Sequence, residues 1–281
     1  MHSALQDKTA QLLTAEDILG VLGLREEDGC FAPHVFTTFD ETARLVPGPR
    51  WPLAKTAWRL ARFLPEGTSL GLVCRGCDIR ALEELVKAGQ LRPGAVRTIG
   101  FSCSADQAGA CLCETPFPPG HEPAAGVDPM SLPAVLALTT GPDRLDLWRD
   151  HFRRCIKCYG CRNACPLCVC PSCKLEEDGY VTLGMVPPDP LAFHLIRAMH
   201  LADRCVGCGA CQESCPSGLP LLALHLAMRR ALRERTGYVS GAAALSPLLT
   251  AGREEGSAGA AGPLWEDTLE EREHRGGNHA R

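Results

Sequence analysis

The chain has 281 residues, enough for one large or two ordinary domains, and its 45% hydrophobic content is sufficient for a packed core. A formal net charge of -4, without a long run of lysine and arginine, argues against nucleic acid as the main ligand. No apolar stretch reaches the roughly 18 residues that a membrane helix requires, and the first residues show no signal-peptide pattern. We therefore expect no direct membrane insertion.

The chain contains seventeen cysteines. Such a number suits a disulfide-stapled secreted protein only when the chain is short. In a chain of this length, with the cysteines in closely spaced groups, metal binding is the better interpretation. We therefore expect a cytoplasmic protein, because that compartment keeps thiols reduced.

The N-terminal part, residues 1–140, is predicted to be an α/β domain with a short parallel sheet. Residues 15–22 are predicted to form a helix. The apolar run 68–74 predicts a strand, 78–88 predicts a helix, and 95–101 predicts a second strand. A crossover of this length allows the two strands to pair in parallel.

Cysteines follow both of these predicted strands. In a parallel pair the carboxyl ends of the strands meet at one edge of the sheet, so Cys74 and Cys77 are expected near Cys103. Cys77 also begins a predicted helix, where free amide groups and the helix dipole favour a thiolate. Cys111 and Cys113 lie in the loop that follows.

Glycines and prolines punctuate residues 121–142, which predicts a junction between domains. Within the junction, residues 134–138 could form another strand. A helix over 144–154 is predicted to lead into the second domain, residues 141–240. The segment 241–281 is rich in alanine, glycine, serine and charge, so we predict a disordered tail there.

Two matching cysteine runs dominate the second domain. The first contains Cys155, Cys158, Cys161 and Cys165, followed by proline, and the second contains Cys205, Cys208, Cys211 and Cys215, also followed by proline. In such a run three thiolates hold one iron-sulfur cube and the fourth ligates the neighbouring cube. The spacing therefore predicts two 4Fe-4S clusters in an α+β ferredoxin-like dicluster domain. A zinc site is the alternative, but it needs two separated pairs of ligands.

Nine cysteines lie outside the two runs. Cys30 and Cys74 are expected to be ordinary small buried side chains. The other seven occupy loops and are candidate metal ligands: Cys77, Cys103, Cys111, Cys113, Cys168, Cys170 and Cys173. We hypothesise a third iron-sulfur centre, formed where the cysteines at the sheet edge meet the loop 168–173.

Three segments together resemble a known family: Val73–Leu82 with its Arg-Gly-Cys-Asp turn, Gly100–Cys103, and Arg154–Cys168. They resemble the iron-sulfur beta subunits of formate dehydrogenases and of coenzyme-reducing hydrogenases from anaerobes, including versions associated with heterodisulfide-reductase-like complexes. The resemblance implies that a catalytic alpha subunit supplies electrons, which pass along the clusters, in some members to a flavin that reduces a deazaflavin coenzyme. It also implies that the eight cysteines of the two runs are ligands, and it suggests the same for Cys77 and Cys103.

The sequence leaves three functions open. The first is an electron-transfer subunit that relays electrons between a catalytic partner and an acceptor. The second is a catalytic, flavin-dependent subunit that reduces a coenzyme or a disulfide, although the chain has no G-x-G-x-x-G motif after a strand and flavin is not expected. The third is a zinc-containing binding module.

Overall fold

The structure, a computed structural model, describes residues 2–111, 113–120, 144–177, 179, 181–186, 190–242 and 245–250. The strands are β1 (Ile18–Glu27), β2 (Cys30–Phe36), β3 (Leu45–Val46), β4 (Ser69–Arg75) and β5 (Val96–Phe101). The helices are α1 (His2–Leu12), α2 (Ala54–Ala61), α3 (Gly76–Lys87), α4 (Ala105–Ala110), α5 (Arg144–Phe152), α6 (Gly160–Ala164), α7 (Pro190–His200), α8 (Ala210–Glu213), α9 (Leu221–Thr236) and α10 (Pro247–Thr250). Short 3-10 helices occur at Asp40–Arg44 and Lys174–Glu176.

The strands form one mixed sheet in the order β2-β1-β4-β5, with β3 pairing to β1. The predicted parallel pair is present, since β4 and β5 align in parallel with Leu72 opposite Thr98. Strand β1 extends the sheet in parallel with β4, but its contacts with β2 and β3 are antiparallel. The N-terminal part is therefore α/β as predicted, with a mixed rather than a purely parallel sheet.

The predicted helix at 15–22 is wrong, because β1 begins at Ile18. The apolar residues Ile18, Val21 and Leu22 fit a helical stripe as well as a buried strand, and periodicity alone cannot separate these two structures over so short a run. Tertiary pairing decides the outcome: β1 lies between β2 and β4, and most of it is buried.

Strand β4 is buried along its whole length and has a hydrophobic cluster on each face. One cluster contains Leu72 and Leu82 together with Leu167, Leu201 and Val206 from the cysteine-rich part of the chain. The two predicted domains therefore share packed apolar surface. The predicted boundary after residue 140 and the predicted strand 134–138 lie outside the described residues.

Within the described residues from 144 onward, the regular structure is helical, so the α+β ferredoxin-like arrangement stays a prediction. After α9 the chain returns to the sheet domain, where the Gly241 amide donates to Glu84 Oε1 at 2.5 Å. The Ser246 hydroxyl donates to Asp203 Oδ2 at 2.7 Å. The first residues of the predicted tail are thus packed, while residues 251–281 lie outside the described part.

No helix in the described ranges is both long and apolar enough to cross a membrane.

Candidate iron-sulfur centres

The two cysteine runs fold into loops of the same conformation. In the first loop Lys157 and Tyr159 have φ of 54° and 56°, and in the second Gly207 and Gly209 have φ of 67° and 72°. The Lys157 amide donates to Cys155 Sγ at 3.4 Å, and the Gly207 amide makes the corresponding bond to Cys205. The left-handed residues curl each loop, so its first three cysteines can face one centre.

Cys165 and Cys215, the fourth cysteines, cross over between the loops. Burial, followed by repulsion from Cys161, Cys215 and Cys158, raises the pKa of Cys155. Cys161 likewise has a pKa raised by burial, with Cys158 and Cys215 contributing. We call Cys155, Cys158, Cys161 and Cys215 group A. Its Cys158 is exposed, whereas Cys155 and Cys161 are buried.

The second set of thiols has the complementary composition. Burial raises the pKa of Cys211 to about 12, and the neighbouring thiols Cys205 and Cys165 contribute. The pKa of Cys208 is also raised, mainly by burial, with Cys165 and Cys211 among its neighbours. We call Cys165, Cys205, Cys208 and Cys211 group B. An enclosed cavity is lined by all four of these cysteines.

Groups A and B lie next to each other because the two loops approach closely. A Cβ added to Gly160 would be 2.7 Å from the Ser214 carbonyl oxygen, so only glycine allows this contact. Helices α6 and α8, which follow the loops, pack against each other. Cys161 of group A is also one of the thiols that influence Cys211 of group B.

This donor set fits two 4Fe-4S clusters. Each group offers four thiols, drawn three from one run and one from the other, and all except Cys158 are buried or partly buried, as a dicluster protein requires. In the described part of the chain, no three His, Cys, Asp or Glu side chains converge on a position for a single ion. A four-iron cube is larger than one ion. Its four sulfur ligands therefore lie further apart than those of a zinc site, in which each sulfur is about 2.3 Å from the ion.

A buried arginine lies between the two groups. Arg197 is 3% exposed, and its Nη2 donates to the Cys161 carbonyl oxygen at 2.8 Å. The nearby thiols Cys165, Cys161 and Cys168 raise the pKa of Arg197, although burial opposes them. Arg197 Nη1 lies 2.7 Å from Nε2 of His225, and burial lowers the pKa of this histidine to about 3. The ring is therefore neutral and accepts the bond, so a fixed positive charge faces both groups.

The loop with Cys168, Cys170 and Cys173 lies beside group B and the 3-10 helix Lys174–Glu176. A hydrogen bond from Cys168 lowers the pKa of Cys165 to about 6. Lys55 Nζ donates to the Cys168 carbonyl oxygen at 3.1 Å. Cys173 instead contacts the Arg162 side chain. These three cysteines border a cleft with Lys55 and Arg162, and they are not gathered with the sheet-edge cysteines.

The sheet edge brings Cys77 and Cys103 together, as the parallel strands predicted. Cys111 and Cys113 join them. Burial raises the pKa of the Cys77 thiol well above its ordinary value, which opposes the thiolate that the helix start was expected to favour. Cys74 is buried as predicted, but the prediction is wrong for Cys30, which is exposed.

The Arg-Gly-Cys-Asp turn is a structural latch at this edge. Asp78 accepts from the backbone amides of Leu53 at 2.8 Å and Ala54 at 2.9 Å, and from that of Arg75 at 3.3 Å. The Arg75 side chain donates to three backbone carbonyl oxygens, those of Pro47, Gly48 and Pro49. The latch fixes the segment before α2 against the first turn of α3.

Sequence reasoning missed two arginines at the site. Arg197 lies in α7, and no local sequence pattern shows that it points inward. Arg50 precedes α2, yet its Nη1 donates to the Cys208 carbonyl oxygen at 2.8 Å and its Nη2 pairs with Glu213 at 2.5 Å. Their contacts span 28 or more positions in sequence, so only the folded chain reveals them.

Comparison with known proteins supports this assignment of cofactor. Residues 200–219, which contain the second run, match the family of 4Fe-4S binding domains. The prediction that the chain binds 4Fe-4S is thereby confirmed, although the match does not count the clusters.

Two curated relatives carry the word formate dehydrogenase in their names. The chain is 43% identical over 97 residues to the F420-dependent formate dehydrogenase subunit beta of Methanocaldococcus jannaschii, a match covering 34% of this chain and 26% of that protein. It is 38% identical over 97 residues to the F420-dependent formate dehydrogenase 1 subunit beta of Methanococcus maripaludis, covering 34% and 25%. The chain spans about a quarter of the length of these relatives. Neither match supports the flavin-dependent alternative. The resemblance predicted from the sequence is confirmed: this chain is similar to the iron-sulfur beta subunits of formate dehydrogenases.

Proposed function

We propose that the chain is an iron-sulfur electron-transfer subunit of a redox complex, with one 4Fe-4S cluster held by group A and one by group B. The observation that carries this proposal is the exchange of fourth cysteines between two loops of matching conformation. Such clusters accept and release single electrons without bond making. The chain's own residues hold, bury and electrostatically tune them.

The surroundings of the groups support a relay rather than catalysis. Group B lies between the shared hydrophobic cluster and α9, and none of its four cysteines is exposed. Group A reaches the surface at Cys158, where a partner's redox centre can approach. Arg197 faces both groups and stabilises the added negative charge of their reduced states.

The relatives' names suggest the partner. We propose that a catalytic subunit of formate dehydrogenase type donates or accepts the electrons, with hydrogenase and heterodisulfide-reductase types as further candidates. We also propose a cytoplasmic location, in keeping with thiol ligands that must stay reduced.

Reconstitution tests this function. The anaerobically purified chain is mixed with a purified formate dehydrogenase catalytic subunit, formate and a one-electron acceptor, and the appearance of reduced-cluster EPR signals is followed. We expect formate to reduce the clusters only when both proteins are present. The Cys158→Ser and Cys208→Ser variants should transfer electrons far more slowly. Equal rates of acceptor reduction with and without the chain would contradict the proposal.

A further inference from the structure

Four cysteines outside groups A and B meet at the edge of the sheet, and we call them the edge group: Cys77, Cys103, Cys111 and Cys113. Cys77 lies in the first turn of α3, directly after β4, and Cys103 follows β5. Since β4 and β5 are parallel, both cysteines emerge at the same edge. Cys111 ends α4, and Cys113 lies in the loop beyond it.

The loop after α4 is fixed across this edge. The Cys103 amide donates to the Pro116 carbonyl oxygen at 2.8 Å. The next residue, Phe117, places its carbonyl directly against Gly76, so closely that a Cβ there would clash. Pro118 occupies the space where a Cβ of Gly100 would be, at 2.8 Å. The two glycines let the loop lie on the strand ends, which returns Cys113 to the first turn of α3.

The four thiols are close enough to affect one another. Besides burial, Cys113 and Cys103 contribute to the raised pKa of Cys77. Burial raises the pKa of Cys103 to about 11, with Cys113 and Cys111 contributing. Cys103 and Cys111 are buried, and the other two are partly buried. The set therefore has the size and the burial of groups A and B.

Three arginines and one buried carboxylate, that of Asp78, border the edge group. Arg75 is 4% exposed and acts on both Cys103 and Cys111. Arg80 acts on Cys77, and Arg50 hydrogen-bonds to Cys111. Three arginines around four thiols form an environment for a centre with net negative charge, such as a cube held by four thiolates.

The edge group also borders group B. After burial, Cys77 is the largest influence on the raised pKa of Cys208. Arg50 links the two directly, because it bonds to Cys111 on one side and to the Cys208 carbonyl oxygen on the other. Group A contacts group B through Cys161 and Cys211 instead. The three groups therefore follow the order A, B, edge.

We propose that Cys77, Cys103, Cys111 and Cys113 ligate a third 4Fe-4S cluster, which exchanges electrons with the centre at group B. One electron would pass between the centre at group B and the centre at the edge group, so that one is oxidised as the other is reduced. No bond breaks and no proton moves. The site differs from the one hypothesised from the sequence, because the loop 168–173 lies elsewhere and takes no part.

The spread of the thiols favours iron-sulfur over zinc. The described donor groups do not converge on a position for a single ion, at the edge group or anywhere else in the described ranges. The three arginines would compensate the net negative charge of a centre held by four thiolates.

Iron counting on the full chain tests the proposal. The protein is purified anaerobically, and iron, acid-labile sulfide and zinc are measured per chain. We expect about twelve irons for the unaltered chain, since each cubane contributes four. A total of about eight irons would overturn the third cluster and leave the proposed relay through groups A and B intact, so the two proposals can fail separately.

Variants then locate the third cluster. Cys103→Ser with Cys113→Ser should lower the count from about twelve irons to about eight, with the EPR signals of the other two clusters retained. The matched control is Cys170→Ser with Cys173→Ser, and Cys30→Ser is a second control; both should keep about twelve. Loss of four irons in the Cys170 and Cys173 control, or loss of one zinc instead of iron in the edge variant, would overturn the assignment.

A second variant covers the case in which the double variant fails to fold. Arg50→Gln leaves every cysteine in place, so the iron content should stay at about twelve. Arg50 lies between group B and the edge group, so the reduction potentials of two clusters, followed by EPR, should become more negative. If the iron content stays at about twelve and no potential other than that of group B shifts, the assignment of the third cluster to the edge group is overturned.

Discussion

Groups A and B and the edge group offer the same ligands but are built in different ways. The first two come from two loops whose cysteines stand fifty residues apart in matching positions, Cys155 with Cys205 and Cys158 with Cys208. The edge group comes from three unrelated pieces: a helix start, a strand end and a loop. The first construction repeats a local pattern, whereas the second depends on the sheet.

The difference shows where each site gets its rigidity. In groups A and B the left-handed residues and the short helices α6 and α8 shape each loop locally. The edge group is instead held in place by the latch of Arg75 and Asp78 and by the loop that packs on Gly76 and Gly100. Disturbing the latch should therefore damage the edge group more than groups A and B.

The largest expected effect tests the exchange of fourth cysteines. Cys215→Ser should destroy the same cluster as Cys155→Ser, although these residues belong to different runs. Cys165→Ser should instead match Cys205→Ser. Each variant is expected to lose about four irons or be left with a damaged cluster, and its remaining EPR signals identify which cluster is missing. The grouping would be contradicted if Cys165→Ser destroyed the same cluster as Cys155→Ser, or if Cys215→Ser destroyed the same cluster as Cys205→Ser.

Asp78→Asn should have the next largest effect. It tests whether the edge group depends on the latch while groups A and B do not. Oδ1 of the carboxylate accepts from the buried amides of Leu53 and Ala54, and Oδ2 accepts from that of Arg75. An asparagine has only one acceptor oxygen, so its NH2 group would face at least one of these amides. We expect a loss of about 3 kcal/mol in unfolding free energy and weaker loading of the edge group. Groups A and B should keep their EPR signals. Thermal melting measures the loss, and Asp106→Asn, an exposed change in α4, serves as the control.

Gly160→Ala tests groups A and B instead of the edge group. The new Cβ would meet the Ser214 carbonyl oxygen at 2.7 Å, so the two cluster loops must move apart. We expect a cost of about 1–3 kcal/mol, seen as earlier loss of cluster absorbance on heating. The control is Gly109→Ala in α4, where the added Cβ would have no neighbour within 4 Å. Equal melting of both variants would show that the loop contact is unimportant.

Arg197→Met should change potentials without removing a cluster. A buried positive charge stabilises the reduced state, so its loss should make the potentials of groups A and B more negative, on the order of 50 mV. Arg197→Lys keeps the charge and should shift them by less than half as much. Redox titration with EPR detection measures both. Unchanged potentials in the methionine variant would contradict an electrostatic role for Arg197.

The smallest effect is expected from Lys55→Gln. Lys55 lies beside Cys165 and Cys168 but is only partly buried, and burial lowers the pKa of its amine. Solvent screens its charge more than that of Arg197, so the potential of group B should fall by only about 10–20 mV. The control is Lys8→Gln, on an exposed position of α1. A potential shift as large as that of Arg197→Met would mean that the burial of a charge does not determine how strongly it affects the cluster potentials.

Groups A and B repeat a local pattern, whereas the edge group depends on the sheet, and this difference determines how much could be predicted from the sequence. The eight cysteines of the two runs are recognisable because four cysteines at fixed spacing and a following proline suffice to show the pattern. The meeting of Cys77 with Cys103 was predictable from parallel pairing alone. The recruitment of Cys111 and Cys113 was not, since it depends on Phe117 and Pro118 crossing two glycines. The misread helix at 15–22 has a related cause, because only its neighbours make β1 a strand.

The exposure of Cys158 has one more consequence. Group A meets solvent at this residue, while Cys205 and Cys208 pack against the shared hydrophobic cluster and Cys211 is buried. Dioxygen that reaches the protein would therefore encounter the outer cube, the one proposed for group A, before the inner cube proposed for group B. Oxidative breakdown in air should begin there, and the inner cube should outlast it.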